Sequence, residues 1–419
     1  MTVVKRLSPA SFLLPFLLVV CCPASSQAVD GKVSRPPPQL HVYRSATACA
    51  PCHPEIYRSW KSSKHATSFT DPVFQLPYDR IRRSHPRKAV ICEQCHNPGR
   101  FLLPPNAPLA AIFAQEGVTC DFCHSVESVH LDGPFPRYHA SPGVMRGPRG
   151  GEPGKLVHAT MFSGLHITSE FCGGCHEYRN EFGVLILGTY SEWAESFYRG
   201  EGIHCQFCHL PQIFDAKFIA SKQKKGPLDH AMSEGHARER LAKAIPMRAV
   251  LKVSGNEARL TVTLKNETVG HKTPSGIPTS RLRLVSTLYD ASGKVLGRKE
   301  EVFEKVVGDG AGKPLEKPEL IFTAAREVLK DNRLGPKETR KIEQVFPLDG
   351  SKPATAEVAL LYEEPLTETA LRMRAIDLPV SSLVVPAKAG NSALRAALIA
   401  LVAIFLLLAA VVYVRRKGR

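Results

Sequence analysis

Two uninterrupted apolar stretches stand near the ends of the 419-residue chain, and between them the spacing of apolar positions changes. The first stretch, Ser11 to Cys22, follows Lys5 and Arg6 and is too short to cross a bilayer. With small residues at Ser26 and Ala28, it reads as a signal peptide over residues 1–28. Cys21 and Cys22 invite a lipoprotein reading, against which stands the bulk of Val20. The second stretch, Ala396 to Val414, carries no charge over 19 residues, about 28 Å as a helix. Arg415, Arg416, Lys417 and Arg419 follow at once, which the positive-inside rule places in the cytoplasm. The expectation is a single-pass inner-membrane protein with a helix at 394–414 and a cytoplasmic tail at 415–419. The bulk of the chain would then lie in the periplasm.

Residues 29–246 have few long periodic apolar runs and many breaks, as at Leu103-Pro104-Pro105 and from Gly147 to Gly154. Short helices and loops with almost no sheet are expected there. From Met247 the period becomes two, in Ala258-Leu260-Val262-Leu264 and Leu282-Leu284. Asp290 to Gly293 is a turn signal, and β-rich runs recur at Ile342 to Phe346 and Ala356 to Tyr362. This pattern predicts a small antiparallel β-sandwich over residues 247–388, with an inserted helix from Leu320 to Lys330. The fold class is thus a mainly α or irregular domain, then the β-sandwich, then one C-terminal transmembrane helix.

Cysteine spacing supplies the chemistry. Beyond Cys21 and Cys22, ten of the twelve cysteines form five C-x-x-C pairs, each followed directly by histidine. They are Cys49/Cys52/His53, Cys92/Cys95/His96, Cys120/Cys123/His124, Cys172/Cys175/His176 and Cys205/Cys208/His209. This is the c-type haem attachment pattern: two cysteines about a helical turn apart form thioethers to the porphyrin, and the next histidine meets the iron. Disulfides give no reason for the histidine. Thioredoxin-like sites come singly, and zinc or iron–sulfur sites use cysteines in fours. The expected cofactors are five haem c, with His53, His96, His124, His176 and His209 as proximal ligands.

Charge changes little after that. The formal excess is +16, and setting aside two leader cations and four tail cations leaves ten. Five haems bring ten propionates, so the excess is internal compensation and no nucleic-acid partner is needed.

The haem region is internally duplicated. Glu116-Gly117-Val118-Thr119-Cys120-Asp121-Phe122-Cys123-His124 matches Glu201-Gly202-Ile203-His204-Cys205-Gln206-Phe207-Cys208-His209 at most positions. Each lies a similar distance past another motif, 28 residues after Cys92 and 33 after Cys172. Two haem pairs with a leading single haem is the simplest description. The two tryptophans also recur in like contexts, Tyr57/Trp60/Ser63 and Tyr190/Trp193/Ser196, where each Tyr and Trp share a helix face.

Eleven histidines lie outside the motifs, and no methionine stands in a clear axial-ligand context, so bis-histidine ligation is favoured. The distal candidates are His65, at least one of His158 and His166, one of His230 and His236, and His271 in a Gly-flanked loop of the β-region.

Cys-x-x-Cys-His followed by Tyr57, Trp60 and Ser63-Lys64-His65-Ala66 resembles the multihaem cytochromes typified by the tetrahaem acceptor of hydroxylamine oxidoreductase, the cytochrome c-554 type. Phe171-Cys172-Gly-Gly-Cys175-His176-Glu177, Thr189-Tyr190-Ser-Glu-Trp193 and Gly270-His271-x-x-Pro274-x-Gly276 resemble its membrane-anchored members. The resemblance covers roughly residues 42 to 280. It implies periplasmic electron transfer through packed haems, with His65 and His271 as distal ligands. Five motifs, the β-domain and the anchor depart from the tetrahaem pattern. The expected function is electron transfer between a quinol-oxidising membrane complex and periplasmic redox proteins, with no catalytic residue assigned. The alternative is a reductase of nitrite, hydroxylamine or another small nitrogen or sulfur compound, its open iron sought at the Cys120 or Cys205 motif. A gas sensor is disfavoured by a tail too short for an output domain.

Overall fold

The computed structural model describes residues 44–102, 115–133, 137–149, 158–211, 228–232, 237–363 and 378–389. All of them lie in one compact unit. The leader, the 394–414 segment and His236 lie outside the described residues. Among the described residues no helix is long and apolar enough to cross a membrane.

The haem-motif region is built from short helices whose starts follow local chemistry. These are α1 (Pro54–Lys61), α2 (Lys64–Thr67), α3 (Pro72–Ser84), α4 (Pro86–His96), α5 (Cys120–Ser125), α6 (Ser169–His176), α7 (Thr189–Ala194), α8 (Phe197–Gly200) and α9 (Cys205–His209). Proline opens α1, α3 and α4, where its missing N–H costs nothing. Side chains of Ser63, Asp71, Thr119 and Ser196 accept from first-turn amides of α2, α3, α5 and α8.

The region holds more sheet than its sequence predicts. Three two-stranded ribbons pair β1 (Val126–His130) with β2 (Arg137–Ala140), β3 (Val144–Gly147) with β4 (Ala159–Phe162), and β5 (Glu177–Arg179) with β6 (Leu185–Gly188). At three to five residues these strands are too short for an apolar period to announce them. Backbone pairing between segments flanking α5 and α6 creates them instead.

After α10 (Ala237–Ala244) come β7 (Met247–Ser254), β8 (Glu257–Lys265), β9 (Arg281–Asp290), β10 (Val295–Phe303), β11 (Lys305–Gly308), α11 (Pro318–Ala324), β12 (Glu327–Asp331), β13 (Thr339–Pro347), β14 (Pro353–Glu363) and β15 (Leu378–Ala389). Seven strands form a sheet in the order β10-β9-β14-β15-β7-β8-β13, and β11 pairs with β12. Strand β15 serves two partners: residues 378–386 pair with β14, and Ala387–Ala389 pair with β7. The sheet thereby doubles over one core, in which Leu260 and Leu264 of β8 join Leu284 and Leu288 of β9, Phe303, Val358 and Leu360. All of these side chains are almost wholly buried, each Leu contributing about 1.5–3 kcal/mol.

Two expectations are corrected. The β15–β7 pair is parallel, so the sandwich-like sheet is mixed. The helix expected from Leu320 to Lys330 ends at Ala324, and Glu327–Asp331 is a strand on β11. Val307 lies opposite Val328 there, and the free edge of β11 overrides local helix propensity.

The two regions share a second apolar cluster, with Val184 and Ile186 from one side and Val307, Ile321 and Ala325 from the other. Asn180 Nδ2 donates to Ala325 O at 2.7 Å, and Arg80 pairs with Glu319 at 2.9 Å. Lys305 Nζ donates to the carbonyls of Leu185 and Ile186, and burial pulls its pKa down to about 8.

Candidate functional site

Four motifs lie on helices, at the C-terminal end of α4 and along α5, α6 and α9, while His53 caps the start of α1. All ten cysteines are free of disulfides. A continuous cavity of about 1430 Å³ runs between the first four motifs and is also lined by His65, His158, His166 and His230. That exceeds the ~300–1,000 Å³ of ordinary ligand pockets, as several large flat groups would require.

The imidazoles are paired across gaps. His158 faces His53 with ring centroids 6.3 Å apart, and His65 faces His176 at 6.2 Å. His230 faces His124 at 6.5 Å, and His271 faces His209 at 6.4 Å. A metal–imidazole bond of about 2 Å, with each ring centre about 1 Å behind its nitrogen, puts two axial imidazoles roughly 6 Å apart. Four motifs therefore fit haem iron on both faces.

His166 is different. It stacks on His124 at 5.9 Å, but its Nδ1 meets Ser163 Oγ and its Nε2 meets Cys123 O, both at 2.9 Å. With both nitrogens engaged, it braces the third motif. His96 also stands apart: Phe74 stacks on it at 3.8 Å, and among the described residues no second imidazole pairs with it. The singular motif is thus that of Cys92, not one of the duplicated pair at Cys120 and Cys205.

The ring chemistry suits ligation. Backbone carbonyls sit against Nδ1 of His96 (Ser68, 2.8 Å), His124 (Arg146, 2.6 Å), His230 (Leu228, 2.8 Å) and His271 (Lys272, 2.9 Å). A carbonyl accepts from Nδ1–H, leaving the Nε2 lone pair for a metal. Burial, then the nearby His176, lowers the pKa of His65 to about 4, and burial, then His271, does the same for His209. His96, His124, His176, His230 and His271 are lowered mainly by burial as well. These rings are neutral at neutral pH, the form that binds iron.

The attachment points also adjoin one another. The thiols of Cys49 and Cys120, of Cys95 and Cys175, and of Cys172 and Cys205 are neighbours. Cys123 lies within electrostatic reach of Cys175. The fourth motif is therefore the junction of the second, third and fifth. This redraws the duplication: the equivalent pairs are Cys49 with Cys120 and Cys172 with Cys205, and the Cys92 motif is the single one. The tryptophans mark the same repeat. Trp60 Nε1 donates to Val118 O at 2.9 Å, and Trp193 Nε1 to Ile203 O at 2.8 Å. Each carbonyl lies two residues before its motif.

The Gly-Gly of the fourth motif has a packing reason that its sequence does not announce. A Cβ on Gly174 would lie 2.2 Å from the Tyr138 hydroxyl, which donates to Phe171 O at 3.0 Å. Gly174→Ala should displace Tyr138, cost about 1–3 kcal/mol and lower haem occupancy of that motif. A wild-type melting temperature and haem content would refute this.

The paired imidazoles and cysteine motifs define a multihaem c-type cytochrome, and its cofactor is haem c. Residues 48–125 match the family of cytochrome c554 and c-prime. The fold is similar to that of a penta-heme cytochrome c552 from Thermochromatium tepidum, at 24% identity and a TM-score of 0.67. That match covers 82% of this chain and 99% of the other. A beta-glucuronidase from glycoside hydrolase family 2 aligns with 33% of the chain at 12% identity and a TM-score of 0.17. No curated protein matches the sequence.

Proposed function

We propose that the protein is a periplasmic electron carrier that holds five haem c groups and is fixed to the inner membrane by residues 394–414. The observation that carries this reading is the contiguity of the motifs: four line one cavity, and the fifth adjoins the fourth, Cys205 N donating to Ser169 Oγ at 3.1 Å. Bound haem iron would supply the one-electron chemistry. The chain supplies the rest: Cys49/Cys52, Cys92/Cys95, Cys120/Cys123, Cys172/Cys175 and Cys205/Cys208 hold the rings, and His53, His96, His124, His176 and His209 are proximal ligands. His158, His65, His230 and His271, whose rings face those of His53, His176, His124 and His209, would be the second ligands of the first, fourth, third and fifth haems. A face closed by a protein imidazole has no position for substrate. Its partners are then periplasmic redox proteins and a quinol-oxidising membrane complex.

Reduced protein should pass electrons rapidly to small acceptors and titrate over a broad range of overlapping steps, because adjacent charged sites shift one another. Nitrite and hydroxylamine should give no saturable turnover, and a chain cut after residue 393 should leave the membrane with its haems. Saturable turnover blocked by cyanide would overturn the carrier reading.

One observation favours a second reading, a reductase of a small nitrogen or sulfur compound: among the described residues no second imidazole faces His96, on which Phe74 stacks. Uptake of one CO per ferrous chain would locate an open iron at the Cys92 motif. No uptake would close this alternative.

A further inference from the structure

The two tryptophan helices do more than repeat a packing motif. In each, the tryptophan holds the segment entering a haem-attachment motif, and the residue just before it holds the segment carrying the histidine that faces that motif. On α1, Trp60 binds Val118 O ahead of Cys120, while Ser59 Oγ donates to Asp229 Oδ1. Asp229 precedes His230, the ring facing His124, and its Oδ1 also accepts from Ala231 N at 2.9 Å. On α7, Trp193 binds Ile203 O ahead of Cys205, while Glu192 Oε2 accepts from Lys272 N at 3.2 Å and Ser275 Oγ at 2.9 Å. Lys272 follows His271, the ring facing His209, and its carbonyl accepts from His271 Nδ1 at 2.9 Å.

The chemistry is the same with its sides exchanged. In the first repeat the serine is on the helix and the carboxylate on the histidine segment, whereas in the second the carboxylate is on the helix. Both give a hydroxyl-to-carboxylate bond, a charge-assisted contact stronger than a neutral one. That the contact persists while its donor and acceptor change sides argues that the link itself matters.

We propose that Ser59 and Glu192 are positioning residues that hold His230 and His271 on the irons of the third and fifth motifs, so that each tryptophan helix clamps both axial ligands of one haem. The physical need is clear. The facing imidazole is far in sequence from its motif, and a shift of about 1 Å would lengthen or break a metal–nitrogen bond of about 2 Å. A short helix gripping both segments with consecutive residues sets their separation directly. Glu192 is itself fixed by Arg333 at 2.7 Å, both side chains being buried.

This proposal rests on the haem reading, and its test keeps the two apart. Full-length Ser59→Ala, Glu192→Ala and Glu192→Gln are matured in a host that attaches haem, and haem per chain is counted by the pyridine haemochrome assay. Ferrous samples are then titrated with CO and ferric samples are examined for high-spin signal. Each alanine variant should keep the wild-type haem count, and its CO uptake should rise by up to one haem equivalent above wild type. Free imidazole should reverse the rise. Glu192→Gln, which keeps an acceptor for Lys272 and Ser275, should take up no more CO than wild type. Wild-type protein without covalent haem would defeat the underlying reading. With haem count retained, unchanged CO uptake in both alanine variants would overturn the clamp, as would an equal rise in Glu192→Gln. Ser59→Ala removes one hydroxyl, so the test stands even if the Glu192 variants fail to fold.

Discussion

Replacing His65 with alanine is expected to open one iron, the one held by His176, and to leave the fold intact. His65 lies in α2, two residues past the Ser63 cap, with its ring 6.2 Å from that of His176. What ties this segment to its neighbours is backbone, not the imidazole: His65 O accepts from Val118 N at 2.8 Å and from Ser68 Oγ at 3.0 Å. Gly117 packs so closely there that a Cβ on it would lie 2.4 Å from His65 O. These contacts survive the substitution. The ferric variant should therefore gain a high-spin signal, and the ferrous variant should bind one CO more than wild type. The potential of that haem should rise, because losing an imidazole removes a ligand that favours ferric iron. A spectrum that stays wholly low-spin would make His65 a packing residue only.

Arg333→Met is expected to produce the largest loss of stability, about 3–5 kcal/mol. Arg333 joins the haem region to the β-region. It pairs with Glu192 at 2.7 Å and with Asp331 through Nε and Nη2 at 2.8 and 2.9 Å, and it donates to Pro274 O at 3.2 Å. Removing the guanidinium strands the Glu192 carboxylate in a site where it is almost fully buried. Asp331, whose pKa is held low by Arg333 and Lys272 against its burial, keeps only the lysine. Denaturant titration should show the loss, and combining the substitution with Glu192→Gln should cost less than the sum of the two. A change below about 1 kcal/mol would show that water reaches this pair and that its burial does not govern stability.

What the sequence disclosed depended on how local each signal was. C-x-x-C-H is local chemistry, and the alternation of Ala258, Leu260, Val262 and Leu264 is a local period, so the attachment sites and the β8 strand were legible. The pairing of His158 with His53, and not of His166, depends on hydrogen bonds to Ser163 and Cys123 that only the folded chain brings together. Sequence distance likewise suggested Cys92 as the partner of Cys120, whereas the fold brings Cys49 to Cys120. Glu192 reads as a surface charge on a helix until Lys272, Ser275 and Arg333 close around it. The strand at Glu327–Asp331 was hidden for a related reason: only its pairing with β11 decides against helix.

Haem stoichiometry tests the central claim most directly. Protein matured in a competent host is assayed by pyridine haemochrome, and its intact mass is measured under denaturing conditions, where only covalent groups remain. The account predicts five haems per chain and a mass raised by five haem groups. Three or fewer haems per chain would contradict it.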